Sequence, residues 1–149
     1  MSGTSFSAAI DAWVRETQAR ETAVFRDAAQ SVVLEMLTPI TEGGNMPVRT
    51  GYLRASGRAS TEALPRIDPA AKPPEDATPN SFAADVGQFS LVIAGASLDQ
   101  TIYFGFTAAY AQAQENKRRF VGLAAQRWPT IVAESTAKAK AAVASRPSA

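Results

Sequence analysis

Through residues 5–37, apolar positions recur at spacings of three and four: Phe6, Ile10, Trp13, Val14, Thr17, Val24, Ala28, Val32, Val33 and Met36, with a polar gap at Arg20-Glu21. That period predicts one amphipathic helix, capped by Thr4 or Ser5 and limited by Pro39. Unbroken, it would be near 50 Å long at ~1.5 Å per residue. A chain of 149 residues does not need such a rod. Its first half is expected either to project and pack on a neighbouring molecule through Trp13, or to lay Phe6 and Trp13 over the domain's own sheet.

The period changes in the second half of the chain. Residues 91–96 and 101–107 read as two strands joined across Ser97-Leu98-Asp99-Gln100. Ile102, Phe104 and Phe106 alternate with Tyr103, Gly105 and Thr107. An earlier strand is expected near residues 82–89, giving three or four antiparallel strands whose exposed edge a second copy could extend. Residues 110–114 either prolong the last strand or begin the last helix. Phe120, Leu123, Ala124, Trp128, Ile131 and Val132 form a second helical stripe, which Pro129 is expected to kink. Residues 135–149 have helix propensity and almost no apolar stripe, so fraying is expected there.

Between these patterns lie two irregular stretches. Thr41-Glu42-Gly43-Gly44-Asn45 reads as a flexible turn, without the Gly-Lys-Ser/Thr sequel of a phosphate loop. Residues 61–81 hold Pro65, Pro69, Pro73, Pro74 and Pro79 and show no period. So long a loop inside one domain is expected to be functional, ordering on assembly. The expected fold class is α+β: a long N-terminal helix and a C-terminal helix packed on a small antiparallel sheet, within a single domain 1–149.

Met46-Pro47-Val48-Arg49-Thr50-Gly51-Tyr52-Leu53-Arg54-Ala55-Ser56 joins the two halves. Pro47 keeps Met46 extended, and Thr50 is placed to cap a short helix over 50–57. Arg54 and Arg58 then fall four apart on one helix face. Pro-Val-x-Thr-Gly-x-Leu-Arg-x-Ser resembles the signature of minor tail components, the tail-completion or neck proteins of long-tailed double-stranded-DNA phages. Tyr110-Ala111-Gln112-Ala113-Gln114-Glu115 and Arg119-Phe120-Val121-Gly122-Leu123-Ala124 follow in that family's order. The likeness spans roughly residues 46–128 and departs from the family pattern at Ala113, Gln114, Asn116-Lys117 and Arg119.

The resemblance implies a structural virion protein of the head–tail junction, in a phage or a gene transfer agent, assembled in the host cytoplasm. It would form a homo-oligomeric ring, sixfold where it meets a tail tube, between head-closure and tail-tube proteins. Double-stranded DNA would pass through without sequence-specific binding. A tail terminator or head-closure protein of the same particle is the alternative. Expected interface residues are Trp13, Arg49, Thr50, Tyr52, Leu53, Arg54, Tyr110, Glu115 and Phe120. Glu115 either buckles to Arg54 or Arg119 or lies exposed and inert. Glu62, Asp68, Glu75 and Asp76 of the Pro-rich loop are expected to face the lumen, where acidic groups repel the duplex.

Composition narrows the rest. The chain is 46% hydrophobic and 8% aromatic, with much of the apolar share in Ala, so one copy's core is thin. No Cys and no His are present, which removes disulfides, thiolate sites and the commonest metal ligand and neutral-pH base. No cofactor, metal or catalytic residue is expected. No apolar run approaches a membrane span of ~20 residues, and the start lacks a signal peptide's regions, so synthesis in the cytosol without membrane association is expected. Net charge is +1, but its sign varies along the chain. Residues 61–99 are acidic, and 115–149 are basic through Lys117, Arg118, Arg119, Arg127, Lys138, Lys140 and Arg146. Unlike faces of adjacent copies would complement each other, or these are merely solvated faces. A small DNA-binding adaptor using the basic tail is the alternative from another class.

Overall fold

The computed structural model describes residues 2–145, with side chains from residue 6 onward. Arg146 and the side chains of Thr4 and Ser5 lie outside that range. The backbone of residues 4 and 5 already belongs to α1 (Ser2–Leu37), which therefore starts earlier than the predicted cap. At ~1.5 Å per residue α1 is about 54 Å long. Its C-terminal half is the centre of the molecule, burying Ala28, Ala29, Val32, Val33, Met36 and Leu37. Phe6, Ile10, Trp13 and Val14 in its N-terminal half are 69%, 46%, 64% and 40% exposed. The alternative in which Phe6 and Trp13 cover the domain's own sheet is thereby overturned.

After α1 the chain does not form a flexible turn. A 3₁₀ turn at Ile40–Glu42 is closed by Ile40 N–H to Met46 O at 3.0 Å and Met46 N–H to Thr38 O at 3.1 Å. These bonds pin Met46, which is fully buried. The predicted helix over 50–57 is shorter: α2 is Tyr52–Ala55, and Gly57 already opens β1 (Gly57–Ser60). Arg54 and Arg58 consequently do not share a helix face.

The expected sheet of three or four strands is corrected to two among the described residues. β1 pairs antiparallel with β2 (Tyr103–Phe106), with Gly57 opposite Phe106 and Ala59 opposite Phe104. The stretch predicted as strands at 82–89 and 91–96 instead holds helix α3 (Val86–Gly95). Asp85 accepts Gln88 N–H at 3.1 Å and starts that helix. Phe89 and Ile93, four apart, are its buried positions, while Leu91 is 76% exposed. A short apolar run fits either period, and a cap decides for helix here.

The outer edge of β1 is occupied. On the outer side of β1 the Gln88 side chain accepts Ala59 N–H and donates to Ala59 O, each at 2.8 Å. Asp68 N–H donates to Thr107 O at 2.8 Å just beyond the end of β2. A second copy therefore does not find a free edge at β1.

The last third is α4 (Ala111–Arg118), α5 (Phe120–Gln126) and α6 (Trp128–Ala144). Residues 111–114 thus open a helix. Pro129 stands in the first turn of α6, where its missing N–H costs nothing, so it starts a helix rather than kinking one. Residues 135–144 continue α6, with Ser135 buried, and α6 runs antiparallel along α1. Arg127 pairs with Glu35 and Lys138 with Asp27 at 3.0 Å, which fixes that direction. The C-terminal helices pack mainly on α1, and α5 also meets the sheet. The sheet joins the core through Phe106, whose ring meets that of Phe120 edge-on at 5.0 Å.

Candidate interaction face around residues 46–56

Gly51 sets the shape of this segment. Its φ is 86°, and a Cβ there would lie 2.0 Å from the carbonyl oxygen of Phe82. Only glycine combines that backbone region with so close an approach. The N-cap of α2 is Gly51 rather than Thr50. The Thr50 hydroxyl still accepts Tyr52 N–H at 3.2 Å, while Phe82 N–H donates to Thr50 O at 2.9 Å. The Tyr52 ring stands edge-on to Phe82 at 5.2 Å.

Most of the motif is spent inside the molecule. Arg54 Nε donates to Leu37 O at 2.7 Å, placing a cation on the unsatisfied carbonyls at the end of α1. Leu53 is buried in the core, and the Ser56 hydroxyl returns to Leu53 O at 2.7 Å. Thr107 donates both N–H and hydroxyl to Ser56 O, tying the motif to the end of β2. Tyr110, at α4's start, lines a cleft with Tyr52 and Leu53. Burial pushes the Tyr110 hydroxyl above its ordinary pKa, opposed by the Leu53 backbone and aided by neighbouring Tyr52.

Of the nine residues expected at an interface, Leu53 and Phe120 are excluded by burial. Arg54 is bonded internally, while Tyr110 is half-buried and lines that cleft. Glu115 does not lie inert and does not pair with an arginine among the described residues. Its two carboxylate oxygens accept Val121 N–H at 2.9 Å and Gly122 N–H at 3.0 Å, capping the first turn of α5. Thr50 and Tyr52 line a cleft of about 280 Å³ with Pro47, Arg49, Pro73 and Gln114. Arg49 is exposed at its mouth, and Trp13 stands far along α1. The segment 61–81 has no helix or strand, yet Asn80 N–H donates to Arg49 O and Ala109 N–H to Ala71 O. Glu62, Asp68, Glu75 and Asp76 are all exposed along it.

Sequence reasoning missed three features. One is Gln88 as an edge cover, although Asp85-x-x-Gln88 is a capping spacing that would have revealed α3. The second is Asp27, whose carboxyl is held below the usual range by hydrogen bonds from Ser135 and Lys138 and by the Lys138 charge, against its partial burial. The third is an apolar groove of about 760 Å³ between α1 and α6. Among the described residues no cluster of acidic side chains could hold a metal, and no helix is long and apolar enough to cross a membrane. No family model, curated protein or solved structure matches the chain.

Proposed function

We propose that this chain is a structural component of the head–tail junction of a long-tailed phage or phage-derived particle. It works by forming a ring that completes the tail or joins the tail tube to the head-closure ring, with DNA passing through its centre. The observation that carries the reading is the apolar face on the N-terminal half of α1, which a single copy leaves uncovered at Phe6, Ile10, Trp13 and Val14. A side chain such as Trp13 gains most by filling a neighbour's pocket. The motif that carries the resemblance supports it too, since its Gly51, Leu53 and Arg54 have fixed structural work at the end of α1.

The chemistry of a conduit asks for no site. Assembly proceeds by burying repeated surfaces that close on themselves, and the acidic segment 61–81 suits a passage along which duplex must slide. The test is a particle made without this chain: heads and tails are expected to accumulate unjoined, and an image of the intact neck should trace the chain as a ring. Normal particles lacking it would end the proposal. A duplex-binding adaptor is distinguished by gel shift at moderate salt, where only the adaptor shows salt-sensitive affinity.

A further inference from the structure

The uncovered stripe and the apolar groove lie on the same face of α1. Helix α6 covers that face only from its C-terminal end back to Arg20 and Glu21, where Val143 and Ala144 close the groove. Beyond that point no other described residue covers that face of α1. The groove has Val24 and Ala28 of α1 on one side and Trp128 and Val132 of α6 on the other. Phe6 to Val14 and Arg20 to Ala28 are each eight residues apart, so each spans about 12 Å at ~1.5 Å per residue.

From this we infer that the free protein pairs with a second copy of itself, α1 against α1 antiparallel about a two-fold axis at Thr17. In that arrangement Phe6, Ile10 and Val14 of one copy lie over Ala28, Val24 and Arg20 of the other, and each stripe fills the partner groove. Isologous contact of this kind uses both surfaces at once. The charges agree. Glu16 and Arg20 sit on one flank of the stripe, 3.6 Å apart, and the two-fold brings each Glu16 toward the other copy's Arg20. Stripe and groove are apolar stretches of equal length, so each copy covers what the other leaves exposed. The pairing does not rest on the functional reading, and in a ring the stripe would pass from the twin to the next subunit.

The test uses the full chain and its lack of cysteine. Light scattering is expected to give twice the mass of one chain. Thr17→Cys, beside the axis, should form a disulfide-linked pair on mild oxidation, whereas Gln112→Cys on the exposed side of α4 should not. Ile10→Asp in the stripe and Val143→Asp in the groove, both exposed in one copy, should each halve the mass while the body keeps its unfolding transition. Glu16→Arg should weaken the pair, and Glu16→Arg with Arg20→Glu should restore it. A monomer at every attainable concentration, a ring-sized mass, or a pair without the Thr17→Cys cross-link overturns the inference.

Discussion

Gly51 and Gly43 share one backbone region, at φ 86° and 89°, and differ in what surrounds them. A Cβ at Gly43 meets nothing within 4 Å, while at Gly51 it meets the Phe82 carbonyl. Gly43→Ala should therefore cost only the left-handed strain of about 1–2 kcal/mol. Gly51→Ala adds displacement of the strap at Phe82 and should cost well over about 2 kcal/mol, read as the shift in urea midpoint. Equal losses would mean that the strap moves freely. Glu115 offers a second contrast. Its carboxylate meets two N–H groups at a helix N-terminus, so Glu115→Ala should cost about 1–2 kcal/mol and Glu115→Gln less, since the amide keeps one acceptor. The residue type and its place beside the aromatic-led helix are visible in the sequence; its partners are not, because they are backbone groups six and seven residues on.

Helix α1 was legible because its apolar period persists for over thirty residues, long enough for no other period to fit. Residues 86–95 are the opposite case. Leu91-Val92-Ile93 is a three-residue apolar run that a buried strand would also show, and what decides is the Asp85 cap together with burial of Phe89 and Ile93. Strand β1, Gly-Arg-Ala-Ser, carries no strand signal of its own. It exists because β2 and the Gln88 amide satisfy it from both sides, which is tertiary information. Gln88→Ala should leave the N–H and C=O of buried Ala59 unpaired, at about 1–3 kcal/mol. It would also open an edge that recruits other chains, so light scattering on warming should rise earlier than in the parent. A variant as stable and as soluble as the parent would show that the amide bonds contribute nothing.

Across the whole molecule, what binds the two ends of the chain is the antiparallel pairing of α1 with α6, and its polar seam is readable through pH. Ser135 and Lys138 hold the Asp27 carboxyl below its ordinary 3.8. A lowered folded-state value means that this group's contribution is fully present above about pH 4 and is lost as pH falls through the lowered value. Tyr110 has the reverse sign. Its hydroxyl is raised above 10.0, so its contribution holds below that pH and disappears as pH climbs through the raised value. Stability should thus be flat between the two limits as far as these groups go. Asp27 is about one-third exposed and Lys138 more so, which screens the pair and limits it to roughly 1 kcal/mol or less. Asp27→Asn should lower the urea midpoint by that small amount at neutral pH. Its curve should fall less steeply below pH 4 and converge with the parent's once both carboxyl positions are uncharged. Lys138→Met tests the other half of the seam, and the double variant should cost less than the two single losses added together, since one interaction is removed twice. An acid limb of unchanged steepness in Asp27→Asn would mean that Asp27 contributes nothing to holding α6 on α1.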